Sequence, residues 1–184
     1  MSSILKVDQL QDSGGNAIIT SDGSGNLTAG TIPSTVIGTG ALIKVQSTKN
    51  DGSVNTTTST SYVDTVSTAN YTPVLSNSKL FVTVDHCVAI TAGSSHQRCD
   101  IRLIETVTST VLGDLRYVGK DGNGGTQTMR PMTLSGLFTN STSAQKTFKV
   151  QVRKANGSAS EANTIYHSWY AGADFYMTIM EIAG

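Results

Sequence analysis

"TFKVQVRK", residues 147–154, alternates apolar and polar side chains without a break: Phe148, Val150 and Val152 against Lys149, Gln151 and Arg153. A period of two is the mark of a strand with one dry face and one wet face. "KLFVTVD", residues 79–85, repeats the pattern, with Leu80, Val82 and Val84 set against Phe81, Thr83 and Asp85. Further candidate strands are "ALIKVQST", "SYVDTVS", "DIRLIETV", "GDLRYVG", "TMRPMTLSGLF", "TIYHSWYA" and "DFYMTIMEI", separated by Gly, Asn, Asp and Ser clusters. Eight or nine short strands at intervals of about ten residues predict an all-β jelly-roll sandwich over residues 41–184. No amphipathic stretch with helical spacing runs for ten residues or more, so an α/β reading has no support.

Composition narrows the function classes. A chain of 184 residues has room for one ordinary domain and an appendage. Thirteen basic and thirteen acidic residues cancel, and no basic run is interleaved with aromatics, so no nucleic-acid partner is expected. No stretch approaches the ~20 apolar residues of a membrane span, and "MSSILKVDQL" lacks the basic start and apolar core of a secretory signal. If the protein works outside a cell, it is expected to leave without a cleaved Sec signal, release by lysis being one such route. Only 14% of residues are charged, but Val, Ile and Thr are frequent, which favours β structure over disorder.

Residues 1–40 read differently from the rest. Ile4, Leu5, Val7, Leu10, Ile18 and Ile19 are too few to build a core of their own. "DSGGN" and "SDGSGN" read as turns between marginal strands, so the segment is expected to be a short β-meander that docks on a partner or trimerises as several copies wound together. The C-terminal strand breaks the alternation: Phe175, Met177 and Ile179 share one face, yet Tyr176, Met180 and Ile182 on the other are apolar too. A strand apolar on both faces is expected to be covered twice, its outer face by another subunit or by a local loop. Tyr166, Trp169 and Tyr170 just before it have the aromatic density of interface anchors, although such residues also serve in cores.

These segments carry a resemblance. "ILKVDQLQDSGGNAIITSDGSGNLT" followed by "GTIPSTVIGTG" resembles the N-terminal region of small virion and tail-fibre-like proteins of tailed bacteriophages, marine ones especially, and the part ending "FYMTIMEIAG" resembles the last strand of C1q/TNF-like jelly-roll knobs. The resemblance implies a homotrimer on a virion, with residues 1–40 meeting other virion proteins and a knob attaching to a host-surface receptor or glycan. A capsid decoration or head-fibre protein, and a cellular C1q-like or lectin-like binding module, are the alternatives. The chain departs from C1q in having no Gly-X-Y stalk.

Candidate chemistry is sparse. Cys87 and Cys99 would face each other in a hairpin centred on Gly93, but pairing Leu80, Val82 and Val84 with Ile101 and Leu103 puts Cys99 on the core side opposite His86, and Cys87 on the other face. Two thiols are then expected, a bulged disulfide being the alternative. "GKDGNGGT", residues 119–126, lacks the Gly-Lys-Ser/Thr ending of a phosphate loop, and Lys120, Asp121 and Asn123 become candidate receptor contacts. The histidines have no metal-ligand spacing, the carboxylates are dispersed, and no nucleophile elbow occurs, so no metal, no cofactor and no enzymatic activity are expected.

Overall fold

The computed structural model describes residues 9–11, 13–14, 17–21, 24, 27–28, 38–50, 55–90, 97–119, 128–155, 165–167 and 175–184. The chain forms two compact units, Met1–Ala41 and Leu42–Gly184. In the first, β1 (Gln9–Gln11), β2 (Ala17–Ser21) and β3 (Leu27–Thr28) make an antiparallel meander, with Leu10 opposite Ile19 and a bulge before Gln11. A turn at Ser13–Gly14 falls inside "DSGGN", where the sequence places it. Ile4, Leu5 and Val7 lie outside the described residues.

The second unit contains β4 (Leu42–Asn50), β5 (Asn55–Thr57), β6 (Val63–Tyr71), β7 (Ser78–Ile90), β8 (Gln97–Glu105), β9 (Thr110–Gly119), β10 (Thr128–Asn140), β11 (Lys146–Ala155), β12 (Ile165–His167) and β13 (Phe175–Ala183). One sheet runs β4-β13-β7-β10 and the other β6-β11-β8-β9, every pairing antiparallel. Counting only the eight long strands, the orders are 1-8-3-6 and 2-7-4-5, the double Greek key of a jelly roll. The three-residue strands β5 and β12 extend the first sheet beside the far end of β7.

Alternation builds the core between the sheets. Phe148, Val150 and Val152 of β11 and Ile101 and Leu103 of β8 are fully buried against Leu80, Val82, Val84 and Val88 of β7 and Met177 and Ile179 of β13. Phe138 meets Phe148 edge to face, with centroids 5.9 Å apart. The expected hairpin between the strands now seen as β7 and β8 does not form. The two lie in opposite sheets and share the core across the sandwich, because β7 bonds β10 along one edge and β13 and β12 along the other, leaving no edge for β8. Facing was nevertheless as read: Cys99 is buried in the core, Cys87 is half-buried on the opposite side of its strand, and both are thiols.

Two local devices hold the sandwich closed. Where β9 of one sheet meets β10 of the other, the backbones touch: a Cβ at Gly136 would stand 2.4 Å from the Leu112 carbonyl oxygen, and one at Gly113 would stand 2.7 Å from that of Ser135. Elsewhere, Glu181 on the core face of β13 is fully buried and accepts hydrogen bonds from the Tyr71 hydroxyl (2.9 Å) and the amides of Val74 and Leu75 (2.8 Å each). It thereby anchors the connection from β6 to β7. Burial and the adjacent Glu181 carboxylate together push the Tyr71 phenol well above its ordinary range.

Gly136→Ala should destabilise the fold by about 1–3 kcal/mol or more in urea titration, since the clash is with backbone that has no rotamer to yield. Tyr71→Phe should cost about 1–3 kcal/mol at neutral pH by stripping a buried carboxylate of one donor. A phenol raised on folding stabilises fully below its unfolded value and less above it, so stability should fall from about pH 10 upward, and less steeply in Tyr71→Phe.

Candidate functional site

The two outward faces of the sandwich are chemically unlike. On the β4-β13-β7-β10 sheet, register aligns Val45, Met180, Phe81 and Leu137 in one row across all four strands. Leu42 and Ile182 sit opposite each other on β4 and β13, and Tyr176 stands farther along β13. Leu42, Val45, Leu137 and Tyr176 are 59%, 51%, 53% and 47% exposed, and Phe81, Met180 and Ile182 are half-buried. Phe175, Met177 and Ile179 take the core face of the same strand, Phe175 with its ring 5.5 Å from that of His86.

Edge strand β4 reinforces the contrast over its first half, where its polarity is inverted; farther along, Ser47 and Lys49 are exposed on the outward face. Lys44, Gln46, Thr48 and Asn50 lie on the face that β13 turns to the core, whereas Leu42 and Val45 look outward. The inward polar groups are used at the sandwich rim. Gln46 donates to the Asn70 carbonyl, the Asn50 side-chain oxygen accepts from the Thr68 amide, and the Lys44 ammonium lies 4.8 Å from the Tyr71 ring centroid.

The outer face of the β6-β11-β8-β9 sheet is polar and internally bonded. Register sets Arg153, Asp100 and Arg116 in one row and Gln151, Arg102 and Asp114 in the next. Asp100 accepts from Arg116 (2.8 Å) and from Arg153 (2.9 Å), and Asp64 accepts from Lys149 and from Gln151 (2.7 Å). Burial pushes the Asp100 carboxyl up, but its bonds and charge interactions with Arg116 and Arg153 outweigh burial and hold it below the usual carboxylate range. Bonds from Lys149 and Gln151 lower Asp64 likewise. Tyr62, just before β6, receives two guanidinium groups on its ring, Arg102 at 3.8 Å and Arg153 at 4.5 Å from the centroid.

Candidate catalytic groups are otherwise occupied. Ser67 and His86 are 3.1 Å apart, oxygen to Nδ1, but both are buried in the core, where they tie the two sheets and no substrate can reach. Glu105 is fully buried and receives the Val107 and Thr108 amides and the Thr108 hydroxyl; burial raises its carboxyl, and these bonds overcome that and lower it. Among the described residues no three His, Cys, Asp or Glu side chains gather as a metal site. Of the sequence candidates, the structure brings Tyr176, Met180 and Ile182 onto one outward face and turns Phe175 inward. Tyr166 lies in β12, whereas Trp169, Tyr170, Lys120, Asp121 and Asn123 lie outside the described residues. Sequence reading passed over Val45, Phe81 and Leu137, which share a row with Met180 only through strand pairing.

No family model matches the chain, and no curated protein matches it. Among solved structures it is similar to VP2 of infectious bursal disease virus in two forms. The D431N mutant in derived T=1 particles has a TM-score of 0.37 and 12% identity, over 77% of this chain and 40% of that one. The subviral particle has a TM-score of 0.37 and 12% identity, over 78% and 38%. The chain thus spans about two fifths of the length of those VP2 chains, and its jelly-roll assignment rests on its own strand order.

Asp100→Asn should lower stability at neutral pH by about 1–3 kcal/mol, toward the low end because Arg116 is solvated. A carboxylate depressed on folding contributes above about pH 4 and loses that contribution as pH falls through its folded value. The gap between wild type and Asp100→Asn should therefore narrow in acid, as read by urea midpoints at successive pH values.

Proposed function

We propose that this chain is a virion structural protein, a homotrimeric tail-fibre or appendage knob for attachment to a host surface. The apolar outer face of the β4-β13-β7-β10 sheet carries the reading. The exposed apolar row of Val45, Met180, Phe81 and Leu137, flanked by Tyr176 and Ile182 and set beside a polar row of Ser47, Thr178, Thr83 and Ser135, costs free energy in water at about 25 cal/mol per Å² of apolar area. The first half of β4 argues the same way: a segment built for solvent on its outer side would carry Lys44 and Gln46 outward, whereas it is Leu42 and Val45 that lie there.

A second copy of the chain is the natural cover, because the outer face of the opposite sheet is polar and offers no such apolar row. Three copies sharing the apolar faces around one axis leave the charged faces outward, where three identical surfaces gain avidity on a repetitive target. Residues 1–40, a separate unit resembling phage virion docking segments, join the knob to other virion proteins in this reading. Attachment, on this view, is binding without chemistry.

Light scattering on the full chain should give a trimer, and Met180→Lys, which puts a charge at the centre of the apolar row, should shift it to monomer while leaving the unfolding transition in place. A monomeric wild type would overturn the trimer. Removing residues 1–40 tests the division of labour: a surviving trimer assigns assembly to the knob and docking to the opening segment.

A further inference from the structure

The outer face of the β6-β11-β8-β9 sheet holds an imbalance that its own bonds do not resolve. Arg102 and Arg153 converge on the Tyr62 ring at 3.8 and 4.5 Å, so two like charges are gathered at one aromatic side chain. Arg153 is neutralised by Asp100, which also serves Arg116. Among the described residues Arg102 has only neutral partners, the Tyr62 ring and Gln151, whose side-chain oxygen accepts from its Nε at 2.8 Å. Asp114 is its register neighbour on β9, yet among the described residues the ion pairs of this face are Arg116–Asp100, Arg153–Asp100 and Lys149–Asp64. Arg116 and Arg153 share Asp100, whose side chain is only 8% exposed, Asp64 accepts from Gln151, and Asp114 lies opposite Arg102 and close to Arg116, so among the described residues Arg102 is the guanidinium of this face without an ion pair.

We propose that Tyr62, Arg102 and Arg153 form a binding site for an oxyanion, carboxylate or phosphate, borne on a polysaccharide. A guanidinium held by Nε and placed over an aromatic ring is already oriented, so a ligand oxyanion gains bonds to its remaining N–H groups at little ordering cost. The same anion relieves the repulsion between Arg102 and Arg153. An open, flat sheet face suits a polymer rather than an enclosed small ion. Asp64 and Asp114 on the same face oppose a densely charged nucleic-acid backbone and favour a chain whose charges are spaced by sugars. That the polymer belongs to a host surface rests on the attachment reading above; the site itself does not.

The test is biolayer interferometry on the immobilised full chain at low ionic strength, with polygalacturonate, a phosphorylated mannan, neutral dextran and oligo-dT as probes. Binding of either charged polysaccharide, with dextran silent, is the expected result, and the responding probe identifies the oxyanion. Arg102→Gln should weaken that binding about tenfold, with unfolding temperature and native mass unchanged. Gln151→Glu provides a second route that keeps every arginine: it gives Arg102 a carboxylate partner, at the loss of the Gln151 donor to Asp64, and with unfolding temperature read alongside it should weaken binding as well. Equal binding by wild type and both variants, silence toward both charged polysaccharides, or tighter binding of oligo-dT would each overturn the site. Native mass reports separately on the trimer, so loss of one reading is not mistaken for loss of the other.

Discussion

Strand β7 is bonded on both edges along most of its thirteen residues, and that saturation governs the rest of the sandwich. With β10 on one side and β13 then β12 on the other, no hydrogen-bonding edge remains for β8, the next strand in sequence. The chain must cross to the second sheet, and the crossing brings Ile101 and Leu103 face to face with Leu80, Val82 and Val84 rather than beside them. A sandwich results where a simple meander would have left half of these side chains in water.

Closing two sheets creates rims, and each rim is managed by different chemistry. At β9 and β10 the backbones approach so closely that only glycine fits at positions 113 and 136. At β4 and β6 the strands stay farther apart, and polar side chains from Gln46 and Asn50 fill the gap with hydrogen bonds to the backbone. Glu181 and Glu105 perform a related task inside, each a buried carboxylate that gathers the orphan amides of a connecting turn. These are scaffold carboxylates, held by donors that leave no room for a substrate.

The division of labour between the outer faces follows from the same architecture. Each sheet has one face committed to the core, so the character of the other is open to selection. One became a network in which Asp100, Asp64, Arg116, Arg153 and Lys149 answer one another. The other kept an apolar row from Val45 to Leu137. A molecule with one polar, hydrogen-bonded face and one face crossed by an exposed apolar row is asymmetric in the way a subunit is.

Sequence alone determined the strands and their inward residues, because a period of two is local: Phe148, Val150, Val152, Leu80, Val82 and Val84 were legible from spacing, and all are buried. It also located the meander of the opening segment from its turn residues, and the apolar second face of the last strand from Tyr176, Met180 and Ile182. Only the tertiary structure decided partners. Pairing is non-local, so "KLFVTVD" could not reveal that its neighbours are β10 and β13, nor that Phe81 would complete a row with Val45 and Leu137. Glu181, without a partner near it in sequence, finds Tyr71 across 110 residues, and Tyr62 meets Arg102 and Arg153 only once three strands are aligned. Alternation fixes which way a side chain points; what it meets there depends on chain closure, which no local pattern records.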